Sequence, residues 1–261
     1  MTKIIASDFD GTLFKTGKIS KENIEAIGKF RSCGNLFGIV TGRDYKSLKR
    51  ELDVLGFSQY DFLILCNGAV CCNENDEFVF EDNVDAKMTW GGSTLAKQIC
   101  NRLFELDSYC GISFGKENYL FHRDFPEGGS DDIYTYHSHK LIENASEFCR
   151  MFGRCKTSEL STKVTQILTE EFGEVVNPTQ NGTAIDIPAV GINKASGIKK
   201  YAGLMNVAID NVWTVGDNFN DIPMFDGFHS CLMGDGEEKL KCMVDFVCDN
   251  VSDYIEIVLK H

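Results

Sequence analysis

The stretch "ASDFDGTLF", residues 6–14, closes an apolar run with two carboxylates two positions apart, Asp8 and Asp10. In an extended segment, residues i and i+2 leave from one face, so these acids share a side and Phe9 points the other way. Two like charges at the end of a buried strand are costly unless something neutralises them. An isolated D-x-D is ordinarily a solvated turn. Here an apolar strand precedes it and D-G-T follows. Gly11 is free to take a positive φ, and Thr12 is suited to cap what comes next. The acid pair therefore asks for a partner elsewhere in the chain.

Other apolar runs end the same way. Residues 36–40 end at Thr41-Gly42-Arg43, residues 62–66 at Asn67-Gly68, residues 212–215 at Gly216-Asp217, and residues 231–233 at Gly234-Asp235. Continuous apolar runs read as strands buried on both faces, as in a parallel sheet. Helical patterns lie between them. "SKENIEAIGKFRS" sets Ile24, Ile27 and Phe30 on one face behind a Ser20 N-cap. "DYKSLKRELDVLG" repeats the pattern with Leu48, Leu52 and Leu55, and Gly56 stops it. Strand–helix–strand order with right-handed crossovers predicts a doubly wound, mostly parallel α/β sheet of Rossmann-like type. Ligands bind such sheets at the carboxyl ends of the strands. Asp8 and Asp10, Thr41, Asn67 and Asp217 should therefore converge on one crevice.

The middle of the chain reads differently. A hairpin is expected from residues 69–72 into "EFVFEDN". From residue 84 to 188, amphipathic helices (95–106 and 138–151) mix with aromatic-rich short strands, of which "GISFGKENYLFHRD" and "TAIDIPA" are the clearest. This predicts a core of residues 1–83 and 189–261 interrupted by an α+β module of residues 84–188. His122, His137 and His139 fall in that module without metal-ligand spacing and read as surface or packing residues. Trp90, Tyr119, Phe121, Tyr134 and Tyr136 read as its core.

Composition narrows the function. The chain has 261 residues, 43% hydrophobic and 25% charged, with a formal net charge of -13. Nucleic acid and anionic membrane both need a basic face, so neither is expected as a partner. A small anionic substrate remains open, because a bound cation and one lysine can invert the field inside an acidic protein. The eleven cysteines show no C-x-x-C pair and read as packed, reduced thiols of a cytoplasmic protein. The vicinal pair Cys71-Cys72 reads as core. No signal peptide or membrane-length apolar run is seen. P-loop, dinucleotide-binding and nucleophile-elbow signatures are absent.

At this point four segments resemble, in order, the motifs of the haloacid dehalogenase superfamily. D-F-D-G-T resembles the first, "VTGR" (residues 40–43) the second, "INKASGI" with Lys194 the third, and "GDNFND" (residues 216–221) the fourth. "NGA" at residues 67–69, with the module inserted after it, is similar to the Cof-like branch, subfamily IIB, whose inserted cap carries substrate specificity.

The resemblance implies a Mg²⁺-dependent phosphatase acting on a phosphate monoester of a small metabolite, such as a sugar phosphate or nucleotide. It implies Asp8 as nucleophile and metal ligand, forming an aspartyl-phosphate. Asp217 becomes the second carboxylate ligand. Asp10 ligates through its main-chain carbonyl and serves as general acid and base through its carboxyl. Thr41 and the Gly42 N–H become phosphoryl donors, and Lys194 a cation bridging Asp8 and the phosphoryl group. Asn220 and Asp221 become phosphate-binding or supporting groups. Related ion pumps carry Thr at the position of Asp10, which favours hydrolysis here. A phosphomutase or phosphotransferase using the same intermediate is the alternative, with a non-catalytic phosphometabolite-binding module behind it. One departure stands out: where members often carry Gly-Asn-Ala, this chain has "GDGEE" at residues 234–238. Oligomeric state is left open.

Overall fold

The structure is a computed structural model that describes residues 1–85, 88–90, 93–121, 135–137, 142 and 147–261. Its strands run in chain order as β1 (Ile4–Ser7), β2 (Leu36–Val40), β3 (Phe62–Leu65), β4 (Val70–Asn73), β5 (Phe78–Glu81), β6 (Val84–Asp85), β7 (Thr89–Trp90), β8 (Ser93–Thr94), β9 (Tyr109–Phe114), β10 (Glu117–Phe121), β11 (Thr135–His137), β12 (Glu147–Phe148), β13 (Arg150–Arg154), β14 (Thr179–Asn181), β15 (Ala184–Pro188), β16 (Val212–Gly216), β17 (His229–Met233) and β18 (Phe246–Cys248). The chain divides into two compact units: one of Met1–Thr41, Glu51–Phe80 and Asn193–His261, the other of Gly42–Arg50 and Glu81–Ile192.

The first unit is built on a sheet in the order β18-β17-β16-β1-β2-β3-β4-β5. From β18 through β3 the pairs are parallel, and β4 returns antiparallel beside β3. This is the doubly wound architecture that the continuous apolar runs predict. Every residue of β1, β3 and β16 is buried, which explains why those runs do not alternate. Gly38 leaves room in β2 for the ring of Phe62; a Cβ there would lie 2.3 Å from it. That ring in turn stacks on Tyr201, centroids 4.0 Å apart. The Ser20 side chain caps the helix Lys21–Ser32 by accepting from Asn23 N–H, and Ile27 and Phe30 are buried on its inner face. Asn23 is buried too, where its side-chain oxygen accepts from the Ser252 N–H at 2.9 Å.

The second unit carries a sheet in the order β11-β10-β9-β13-β15-β14. One face packs Ile112, Met151, Ile185 and Ile187 against Ile99 and Leu103 of the helix Leu95–Glu105 and Val164 and Leu168 of the helix Ser158–Phe172. The hairpin of β9 and β10 and the strand β15 occupy the stretches expected for them. The expected helix 138–151 is corrected at its end, because Glu147–Phe148 and Arg150–Arg154 are strands. Phe148 and Met151 are three apart and imitate a helical face. The pairing instead alternates, with Met151 toward the apolar core and Arg150 and Phe152 on the opposite face. Tyr119 packs against this core and Phe121 lies within it. His122, His139, Tyr134 and the side chains of Trp90, Tyr136 and His137 lie outside the described residues.

All eleven cysteines are free, and all but Cys33 and Cys242 are buried. Burial pushes the Cys71 thiol up, with Cys72 beside it adding to the rise, so the vicinal pair is inert core. Among the described residues, no helix is long and apolar enough to cross a membrane.

Candidate active site

Strand register delivers the first two acids. Ser7 pairs with Val215 across β1 and β16, and the Asp8 N–H donates to Val215 O at 2.9 Å. Asp8 and Asp217 therefore leave adjacent strand ends side by side, although they are far apart in the chain. Phe9 is fully buried, as expected for the residue between two outward acids. Gly11 turns the backbone at φ +89°, and a Cβ there would lie 2.5 Å from Asp217 Oδ2. Only glycine fits that approach. Thr12 follows, and its hydroxyl donates to Asp217 Oδ1 at 2.8 Å.

A helix start delivers the cation. Asn193 and Ser196 form a reciprocal capping box ahead of the helix Lys194–Leu204. Gly68 of "NGA" seats that helix start: a Cβ on Gly68 would lie 2.1 Å from Asn193 O. Lys194 is 1% exposed, and its Nζ donates to Asp8 Oδ1 and to Asp221 Oδ1, both at 2.5 Å. The other Asp221 oxygen accepts from the N–H groups of Asp217 at 3.0 Å and Asn218 at 3.1 Å. Asp221 is thus fully engaged in holding the loop and the lysine.

Ligand oxygens of Asp8, Asp217 and Asp221 lie within 4.8 Å of one another. Two unit charges at such a separation repel by roughly 3 kcal/mol at an effective dielectric of about 20. Lys194 sets one positive charge against three negative ones. Burial pushes the Asp8 carboxyl well above the usual carboxylate range; Lys194 pulls it back, while Asp221 and Asp217 add to the rise. Asp217 is raised by burial and by Asp221. Burial opposes the Lys194 charge, but Asp221 and Asp8 outweigh this and hold it protonated. An excess of buried negative charge from oxygen donors suits a hard divalent cation. Gly11 keeps the space beside the Asp217 carboxylate clear of a side chain. The cluster can hold a metal ion, with Asp8 and Asp217 as the carboxylates that retain lone pairs for it.

The remaining expected residues stand as follows. Asp10 is exposed and bridges to Phe14 through the backbone; its carboxylate stands apart from the three-acid group. Thr41 is buried at the end of β2, with its N–H on Ile64 O and its carbonyl accepting from Asn67 N–H. Asp44, and not Thr41, caps the helix Tyr45–Leu55 by accepting from Ser47 N–H at 2.9 Å. Asn220 is half-buried in the single turn Phe219–Asp221. Thr12 was expected only to shape a turn, and its bond to Asp217 is an addition of the structure.

The second unit has a polar centre of its own. Arg150 donates from Nη1 to Asp186 and to Gly42 O, the latter at 2.6 Å, and from Nη2 to Asp44 Oδ2 at 3.2 Å. Asn118 donates to the other Asp44 oxygen at 2.6 Å. Arg150, Asp44 and Asp186 are all buried. Beside them a cavity of about 240 Å³, lined by Tyr109, Leu120, Phe152, Arg154, Arg150 and Asp186 among others, opens on the sheet face away from the helices. Nothing in the sequence singles out Arg150, because its partners lie far away in the chain.

The profile of the haloacid dehalogenase-like hydrolases matches residues 5–254. The chain is 25% identical over 264 residues to the 5-amino-6-(5-phospho-D-ribitylamino)uracil phosphatase YcsE of Bacillus subtilis, covering 99% of this chain and 95% of that protein. It is 24% identical over 279 residues to the pyridoxal phosphate phosphatase YbhA of Escherichia coli, covering 100% and 98%. The fold matches a subclass IIB sugar phosphatase at a TM-score of 0.79, with 20% identity over 98% of each chain. It matches a haloacid dehalogenase-like hydrolase from B. subtilis at 0.81, with 20% identity over 98% of this chain and 99% of that one.

Proposed function

We propose a reaction for this chain, which belongs to the haloacid dehalogenase-like hydrolases: hydrolysis of the phosphate monoester of a small metabolite through an aspartyl-phosphate on Asp8. The observation that carries this reading is the convergence of Asp8, Lys194 and Asp217 at the ends of β1 and β16. Lys194 fixes the Asp8 carboxylate by holding Oδ1. An Asp8 oxygen attacks phosphorus, and the ester oxygen departs with a proton from Asp10. Asp10 then takes a proton from water, whose oxygen attacks the same phosphorus. Phosphate leaves and the Asp8 carboxylate is restored. Thr41 hydroxyl and the Gly42 N–H serve as donors to the phosphoryl oxygens, and Asn220 adds a further polar contact. Asp8, Asp217 and the Asp10 main-chain carbonyl would hold Mg²⁺, which supplies neutralisation of the phosphoryl charge.

The substrate is a small phosphorylated metabolite. The acidic chain supports neither nucleic acid nor membrane as partner, and the free thiols support a cytoplasmic location. The inserted module, residues 84–188, is the cap that supplies specificity to the core of residues 1–83 and 189–261; the aromatic and charged cavity beside Arg150 supports that role. A phosphate-release screen over sugar phosphates, nucleotides and pyridoxal phosphate, with and without Mg²⁺, tests the reading. Turnover of at least one ester that stops on chelation is expected. No release from any of them with Mg²⁺ present would overturn it.

A further inference from the structure

We infer that the turn of residues 234–238, the "GDGEE" that departs from the family pattern, is a positioning device for Asp217, working through Gly236 and the Glu237 amide. The inference rests on the proposed role of Asp217 in holding the divalent cation. The Glu237 N–H donates to Asp217 O at 2.9 Å. A Cβ on Gly236 would lie 2.7 Å from Asp217 O, 3.1 Å from Asp217 Cα and 2.9 Å from Met233 O. All three are main-chain atoms with nowhere to go. The turn is itself fixed, because Gly236 N–H donates to Met233 O and Gly234 N–H to Cys248 O, both at 2.8 Å.

Asp217 is therefore held from two sides. The turn after β17 supports its main chain, while Thr12 and Gly11 contact its carboxylate. The two sides are tied together. Asp235 pairs with Lys15, which sits in the tight turn of Lys15 and Lys18 just past Thr12. That ion pair is well exposed at Asp235 and contributes little by itself. Gly236 and the Glu237 amide carry the positioning, since groups that orient a metal ligand govern affinity nearly as strongly as the ligand does. The second glycine of "GDGEE" is thus required by close approach, and the first acid by Lys15.

The test is Mn²⁺ affinity of the full chain, read by electron paramagnetic resonance of the free ion, with the melting temperature of the metal-free protein measured alongside. Glu237→Pro is the cleanest variant. Glu237 already has φ -61°, which proline accepts, so the change removes the N–H with little backbone cost. Mn²⁺ affinity should fall about tenfold with the metal-free melting temperature nearly unchanged. Gly236→Ala should weaken binding at least as much, and Glu238→Gln should not alter it. Wild-type affinity in both Glu237→Pro and Gly236→Ala overturns the inference and leaves the site reading intact. Failure of the unaltered chain to bind Mn²⁺ overturns both.

Discussion

Lys194 Nζ lies 2.5 Å from Asp8 Oδ1 and is 1% exposed. A buried ammonium on a buried carboxylate is stable only as a set with the neighbours that share it. Asp221 completes the set at 2.5 Å. Lys194→Met would leave two buried acids without a counter-charge, a loss of about 3–5 kcal/mol for a pair broken by removal of one partner. Urea unfolding of the metal-free protein should show that loss, and phosphate release should fall at least a hundredfold. A variant within about 1 kcal/mol of wild type would mean that the lysine is not the counter-ion of this cluster.

The raised carboxyls of Asp8 and Asp217 give the metal-free protein a pH signature. Both bind protons more tightly folded than unfolded. Their contribution to stability is full below the unfolded carboxylate value, about 4, and is lost as pH rises through the raised values. A divalent cation stabilises the ionised form, so its benefit grows with pH. The gain in melting temperature on adding Mg²⁺ should be larger at about pH 8 than at about pH 5. An equal or smaller gain at the higher pH would contradict the charge-excess account.

Arg150 is the corresponding element of the second unit. Arg150→Met leaves Asp44 and Asp186 buried without their shared cation and should cost about 3–5 kcal/mol. Hydrogen exchange at the Ser47 amide, which donates to Asp44, should accelerate more than exchange in β1 or β16. Arg150→Lys keeps the charge but loses the forked contacts to Asp186, Asp44 and Gly42, so it should be weakened by a smaller amount. Unchanged exchange at Ser47 in the methionine variant would show that Arg150 does not hold this segment.

The catalytic cluster is legible in sequence because each acid ends an apolar run, and parallel strands bring such ends together whatever lies between them. Asp8 and Asp217 need only the strand order, and Lys194 only a capped helix start. Thr12 and Gly236 are not legible in that way. Their partner is Asp217, and the contact depends on how two turns meet across the sheet end. Arg150 is hidden for a further reason: in a strand with one open face, an arginine reads as solvated, and its burial comes from Asp44 and Asp186. The helix expected through residue 151 fails because two apolar residues three apart fit a helical face, while the pairing with β9 and β15 decides the segment as strand.

Asp8→Asn tests the central claim most directly, because it removes the nucleophile and one charge while preserving shape. Phosphate release from the best ester of the screen, in saturating Mg²⁺ and with the fold checked by circular dichroism, should drop at least a thousandfold. Release within tenfold of wild type by a folded Asp8→Asn chain would contradict an aspartyl-phosphate on Asp8.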